Sequence, residues 1–307
     1  MKALVTGGAG FIGAAIARGL VDRGDDVVIV DDFSAGREDA VPRGTTLVVA
    51  DIRDTDAVAS ACGNVEVIFH HAAVKSVPRS MDEPMVANDV NAAGTLSVLQ
   101  AAESAGVKRL IYASSSSVYG GSDGSPSHED DSPNPLSPYA VSKLAGEYYC
   151  RVWSGLGRVP TVTLRYFNVF GPGQPADSRY AAVFPAFITA LQAGEAPVIY
   201  GDGEQTRDFT FIDDIVRANV LAADAEASVD GAVINAAGGD PRTVNDVFTT
   251  ISRVLGSSVA PEHADPRPGD IRHSLAEPAR GRDLLGWKPE TEWDAAVAAT
   301  VDWFRTR

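Results

Sequence analysis

The sequence predicts an α/β protein: a doubly wound parallel sheet carrying a smaller mixed α/β lobe. Two observations predict it. Through the first half, short apolar runs rich in β-branched residues alternate with stretches of helical spacing, the rhythm of a parallel sheet covered by helices on both faces. Beyond about residue 166 that rhythm loosens into loops rich in Gly, Pro and Asp, which marks a second lobe. The 307 residues allow about two domains at roughly 150 residues each.

Taken in order, the first strand is expected at 3–6 and is followed by a helix whose apolar face carries Ile12, Ala15, Ile16 and Leu20. Strands follow at 27–30, 47–50 and 67–69. Val90, Ala93, Leu96 and Leu99 then fall on one helical face before a fifth strand at 110–113, and a sixth is expected at 162–164. In the second half, helices are expected near 183–193, 213–225, 244–255 and 294–305, with strands at 198–200 and 232–235. The last of these strands can return to the main sheet, so the boundary is expected to be discontinuous. Residues 1–165 plus about 208–237 would form the main domain, and about 166–207 plus 238–307 the lobe. The acidic run Glu129-Asp130-Asp131 reads as a solvated loop.

Composition excludes several classes of function. With 26 Lys plus Arg against 41 Asp plus Glu, the formal charge is -15, and the lysines (Lys2, Lys75, Lys108, Lys143, Lys288) are scattered. Such a chain repels phosphate backbones, so no nucleic-acid partner is expected. No apolar run approaches the ~18 residues of a membrane span, and the N-terminus lacks a signal-peptide layout, so no membrane partner is expected either. Cys62 and Cys150 stand far apart without disulfide or metal spacing. No metal is expected, and a reducing, cytoplasmic setting fits.

Thr6-Gly7-Gly8-Ala9-Gly10-Phe11-Ile12-Gly13 follows the first strand directly and opens a helix. Gly7 permits the tight turn, Gly10 lets the backbone approach a pyrophosphate, and Gly13 lets the helix pack close; the helix N-terminus offers its N–H groups to the anion. The second strand ends about twenty residues on in Asp31-Asp32, where a carboxylate can accept from both adenosine ribose hydroxyls. That acid favours NAD, because it repels a 2'-phosphate, although Arg37 leaves an opening for NADP. Asp51-Ile52, after the third strand, suits an adenine amino group and face, or else a helix N-cap. This is the layout of a Rossmann dinucleotide-binding domain.

Tyr139 and Lys143 stand four apart at a helix start signalled by Pro138, so both project from one face. A nearby ammonium is expected to favour the phenolate and lower the tyrosine pKa towards working pH. Upstream, the fifth strand runs into Ser114-Ser115-Ser116-Ser117-Val118-Tyr119-Gly120 at the carboxyl end of the sheet, where ligands bind. A serine there can pass a proton between a substrate hydroxyl and the tyrosine. His70 and His71, beside the crevice, read as structural or backbone-cofactor residues.

Together these residues resemble the extended short-chain dehydrogenase/reductase family, and within it the nucleotide-sugar 4-epimerases. The carrying motifs are TGGAGFIG at 6–13, the acid at 31, DI at 51–52, SSSSVYG at 114–120, YAVSK at 139–143, LRYFNVFGPG at 164–173, GDGEQTRDF at 201–209 and RPGD at 267–270. They run in the family's order along essentially the whole chain. The resemblance implies a catalytic Ser115, an acid/base Tyr139 and a Lys143 that holds the nicotinamide ribose. It implies an NAD site of Gly7, Gly10, Phe11, Ile12, Gly13, Asp31, Asp32, Ser34, Gly36, Asp51, Ile52, Ala72, Ala73 and Tyr166 with Tyr139 and Lys143. It also implies a UDP-sugar site in the lobe: Arg207 and Arg267 on the diphosphate, Asp270 on the uridine ribose, Asn168, Ser115 and Ser116 on the sugar nucleotide, with Lys75, Ala182, Val183 and Ser274 around the sugar.

The implied reaction is inversion at C4 of a UDP-hexose through a transient 4-keto sugar, with NAD retained between turnovers, in a homodimer joined through helices at about 88–106 and 139–154. The family's 4,6-dehydratases carry Asp-Glu after the catalytic Thr, and here Ser116 and Ser117 stand there. Dehydration is therefore disfavoured, and the lack of an acid at 117 also argues against UDP-glucuronate decarboxylation. A small Ser274 leaves room for an N-acetyl group, as does Ala182, so UDP-GlcNAc and UDP-GalNAc join UDP-Glc and UDP-Gal as expected substrates. Two alternatives stand: a UDP-glucuronate 4-epimerase using Arg179 and the hydroxyls near Thr206, and a non-catalytic NAD-binding sensor.

Overall fold

The structure, a computed structural model, describes residues 1–176, 182–266 and 271–306. The strands of the first half are β1 (Lys2–Thr6), β2 (Asp26–Asp31), β3 (Thr46–Val49), β4 (Val67–His70), β5 (Arg109–Ser115) and β6 (Thr161–Tyr166). The second half adds β7 (Asn168–Phe170), β8 (Val198–Tyr200), β9 (Thr206–Phe211), β10 (Val233–Ala236), β11 (Pro241–Thr243), β12 (Glu262–Ala264) and β13 (His273–Ser274). The helices are α1 (Phe11–Asp22), α2 (Thr55–Cys62), α3 (Val77–Asp82), α4 (Pro84–Asn88), α5 (Gly94–Ala105) and α6 (Pro138–Gly155). They continue with α7 (Val183–Gln192), α8 (Ile212–Asp224), α9 (Val244–Leu255), α10 (Ala279–Leu285) and α11 (Trp293–Arg305).

Seven parallel strands form the main sheet in the order β10-β6-β5-β4-β1-β2-β3. Helices cover both faces, so the central strands are apolar at nearly every position, and Leu4, Ile29, Ile68, Phe69, Leu110 and Ile111 are fully buried. On one face α1 and α8 supply Ile16, Leu20, Ile215 and Ala218; on the other α2, α5 and α6 supply Val58, Leu99 and Cys150. Each Val, Leu or Ile among them contributes about 1.5–3 kcal/mol by leaving water. The chain leaves β1 for β2 on one side and later returns to β4 on the other, and this reversal opens a crevice above the carboxyl end of β1. The helix expected before β5 is interrupted by a wider π-type turn at Asp89–Ala93, between α4 and α5.

The second half builds a small sheet on β9, which pairs antiparallel with β11 and parallel with β13 and β7; β8 and β12 pair separately. Phe170, Phe184, Phe187, Phe209 and Phe211 form its core, with Trp293 packed against them. One expectation fails here. Glu129 is not solvated but 9% exposed, accepting the Asn235 N–H at 2.8 Å; Asp130 and Asp131 remain exposed. The loop folds under β10, where Asn235 also donates to the Ser127 carbonyl at 2.9 Å, and a buried backbone N–H needs an acceptor. No described helix is long and apolar enough to cross a membrane.

Candidate active site

The glycine turn joins β1 to α1 under close backbone contact. Gly7 adopts φ +70°, and a Cβ there would stand 2.7 Å from the Ala72 nitrogen; a Cβ on Gly13 would overlap the Gly7 carbonyl oxygen. The first N–H groups of α1, those of Phe11, Ile12 and Gly13, have no acceptor within the helix and carry its positive end. The space that side chains would fill is thus a cradle for an anion.

Two carboxylates follow at the strand ends. Asp31, 7% exposed at the end of β2, accepts the Ala9 N–H and the Phe33 N–H, both at 2.9 Å, and Gly36 presses against it closely enough that a Cβ would stand 2.8 Å from Oδ1. Asp32 is spent on a local turn, accepting from the Ser34 N–H and hydroxyl. Asp51 is clasped by Arg53, which donates from its backbone at 2.8 Å and from Nε at 3.0 Å; that guanidinium holds the Asp51 carboxyl below its usual range. Asp54, not Asp51, caps α2. Arg37 pairs with Asp39 at 2.9 Å.

These groups line one cavity of about 640 Å³, which includes Ser34, Gly36, Ile52, Ala72 and Ala73 and reaches Lys75, Tyr139, Lys143 and Tyr166. Its shape and donors fit a dinucleotide. Arg53 also lines it and was missed by sequence reasoning; an arginine two residues after the adenine-side acid was the available signal. Beneath, His70 bridges Thr6 Oγ1 at 2.7 Å and Thr95 Oγ1 at 2.9 Å, and burial pushes it well below the usual histidine range. His71 Nε2 meets the Tyr166 hydroxyl at 2.9 Å and burial lowers it to about 3. Both are neutral and serve as scaffolding.

α6 begins with Ser137, whose side chain accepts the Ala140 N–H, and Pro138 occupies its first turn. The Tyr139 N–H is taken by Ser80 of α3 at 3.1 Å, a buried positioning contact absent from the sequence reading. Lys143, 4% exposed, donates to the Ala113 carbonyl at 2.9 Å and lies 5.1 Å from the Tyr112 ring centroid. A Cβ on Gly146 would overlap the Tyr112 hydroxyl, so this glycine sets how closely α6 packs on β5. The expected lowering of the Tyr139 pKa is not what the site shows. Burial raises it, the Ser115 side chain pulls it back down by hydrogen bonding, and the ammonium is directed at a carbonyl. Burial lowers Lys143 to about 8.

Ser115 ends β5, and its hydroxyl accepts the Ser117 N–H at 3.2 Å; Ser116 opens the next turn. Neither lines the cofactor cavity. In the small sheet Arg207 of β9 sits in register with Ser274 of β13, and Arg207 donates to the Thr206 carbonyl at 2.8 Å. Asn168 is exposed at the start of β7, and Ala182 and Val183 form the N-terminus of α7. Arg179, Arg267 and Asp270 lie outside the described residues. Sequence reasoning also missed Asp208, which is fully buried and accepts from the Gly239 N–H at 3.0 Å and the Ala276 N–H at 3.2 Å, tying β9 to the segments flanking the lobe. Burial pushes its carboxyl up to about 6.

Residues 3–237 match the NAD dependent epimerase/dehydratase family. The chain belongs to that family. It lies in the extended short-chain dehydrogenase/reductase class, among UDP-sugar 4-epimerases, and its cofactor is NAD. It is 38% identical to a UDP-glucose 4-epimerase of Mycolicibacterium smegmatis, covering 100% of this chain and 99% of the relative. Among solved structures it resembles a UDP-N-acetylglucosamine 4-epimerase from Methanobrevibacter ruminantium in complex with UDP-N-acetylmuramic acid (TM-score 0.95, 39% identity, 99% and 98% coverage). It equally resembles the UDP-glucose 4-epimerase of Thermotoga maritima with UDP-glucose (TM-score 0.95, 33% identity, 100% and 99% coverage).

Proposed function

We propose that the chain inverts C4 of UDP-hexoses, UDP-Glc/UDP-Gal and UDP-GlcNAc/UDP-GalNAc, using a retained NAD. The observation that carries this reading is the convergence of Ser115, Tyr139 and Lys143 at the carboxyl end of β5, with Ser116 and Ser117 where a dehydratase has acids. NAD, when bound in the cradle, supplies a hydride acceptor and donor and a positive charge that favours the phenolate. Asp31 and Asp51 orient the adenosine, and the α1 N-terminus holds the pyrophosphate. Tyr139 takes the O4 proton as C4 is oxidised, with Ser115 aligning the hydroxyl, and returns it once the keto sugar has presented its other face. Lys143 orients the nicotinamide ribose. Arg207 anchors the UDP diphosphate, leaving the hexose to turn about it, and Arg267 and Asp270 complete that anchor in this proposal.

Ser274, in register with Arg207, is small enough to admit an N-acetyl group, and so is Ala182. Lys75 lines the cavity near Tyr139, as a residue contacting the sugar should. A homodimer in a cytoplasmic setting belongs to the same proposal. On α6, Val141 (53% exposed), Tyr148 (52%) and Val152 (50%) follow at helical spacing, an apolar stripe suited to a second copy. Tyr139→Phe is expected to keep its NAD and lose turnover by about 10²-fold or more. Turnover close to that of the unaltered protein would remove this reading.

A further inference from the structure

The helix that carries Tyr139 and Lys143 continues the same stripe one turn further to Glu147. Two residues of β5 bond members of that stripe, the Ala113 carbonyl accepting from Lys143 and the Ser114 hydroxyl donating to Glu147, and the side chain of the next, Ser115, draws the Tyr139 phenol pKa down. Glu147 is 3% exposed. Arg165 of β6 grips its carboxylate in a two-pronged pair, Nε to Oε1 at 2.9 Å and Nη2 to Oε2 at 2.7 Å, and spends a third donor on the Tyr119 hydroxyl at 2.8 Å. A buried ion pair of this kind is costly to build and is rarely the cheapest way to stabilise a core. Something besides stability has to account for its position beside the Tyr/Lys pair.

The surroundings of Lys143 supply a reason. The titratable groups near it are Tyr139, Glu147 and Cys150 on its own helix, Tyr112 on β5, His70 at the end of β4 and His71 just after it, with Arg165 behind Glu147. Burial pushes Tyr112 and Cys150 up and both histidines down, so these four are neutral at working pH, while Tyr139 is the group whose proton moves in the reaction. Cys150 and Glu147 are the two groups whose negative charge would oppose the effect of burial on Lys143, and because burial keeps the thiol protonated, Glu147 is the standing anion among the described residues around the ammonium.

We propose that Glu147, fixed by Ser114 and Arg165, is the positioning residue that keeps Lys143 protonated and thereby sets the alkaline limit of the reaction. The inference rests on the Tyr139/Lys143 reading above, and it goes beyond it by assigning the source of the charge. Arg165 holds the carboxylate in place with its two-pronged grip, and Ser114 ties its geometry to the strand that presents Ser115.

The test uses protein labelled at lysine Cε and follows Lys143 by NMR titration. The chain has five lysines, and Lys143→Arg identifies the resonance. Glu147→Gln is expected to lower the Lys143 midpoint by about one pH unit, with the alkaline limb of kcat/KM following it and KM for the UDP-sugar within about twofold. If the single variant does not fold, Glu147→Gln/Arg165→Met removes both buried charges together and should move the midpoint the same way. An unmoved midpoint in a folded variant, with turnover reduced equally at every pH, would make the pair merely structural and overturn the proposal. The titration is read without turnover. A moved midpoint in protein that shows no epimerisation would support the electrostatic role and remove only the epimerase reading.

Discussion

Gly13 shows how narrow the tolerance is at single residues of the dinucleotide turn. An added Cβ would meet the Gly7 carbonyl oxygen, which is backbone and cannot step aside cheaply. Gly13→Ala is therefore expected to destabilise the fold by about 1–3 kcal/mol and to yield protein with little bound NAD, measured by thermal melting and by assay of released cofactor. Retention of a full complement of NAD would contradict this account of the cradle. Gly7, Gly10, Gly13, Asp31, Tyr139 and Lys143 were legible because their signal is local spacing after a strand or at a helix start. Arg53, Ser80 and Asp208 were not, since each acts on a partner that only the fold brings near or looks in sequence like an ordinary surface polar residue. The direction of the Tyr139 pKa was misread for the same reason: spacing shows the lysine, but not the burial that outweighs it.

At the scale of elements, the strands of the main sheet were legible to within two residues, because short apolar runs rich in β-branched residues leave a clear pattern. β7, β11 and β13 have three residues or fewer, too short for alternation to register, and their pairing around β9 depends on contacts across as many as 67 positions (Ser274 with Arg207). The π-type turn at Asp89–Ala93 was invisible because the apolar spacing on either side of it is helical throughout. Glu129 escaped because an acidic run resembles a solvated loop until β10 requires an acceptor. The apolar stripe of α6 carries its own prediction. Val152→Glu is expected to shift the protein from dimer to monomer in sedimentation velocity while leaving the cofactor cavity, which Val152 does not line, able to hold NAD. A variant that sediments as the unaltered protein would show that this face does not join two copies.

For the whole molecule, buried neutral histidines tie stability to pH. His70 and His71 have folded pKa values below the unfolded value of about 6.5, so the unfolded chain binds more protons in acid and stability falls as pH drops through about 6.5. Asp208 acts in the opposite sense: its folded value, about 6, lies above the unfolded one, so it favours the folded state as pH falls below 6. Across the interval from pH 7.5 to 6 the two histidines outweigh Asp208, whose own protonation is only half complete near 6. The melting temperature should decline across it, and His70→Gln should flatten the decline; an equal slope in that variant would assign the effect elsewhere. The central claim concerns chemistry, and NMR time courses test it most directly. The purified protein is given UDP-GlcNAc, UDP-Glc and UDP-glucuronate in separate tubes with no cofactor added. Growth of UDP-GalNAc and UDP-Gal signals to stable ratios is the predicted result, whereas no change with either neutral sugar, before or after NAD is supplied, would contradict it.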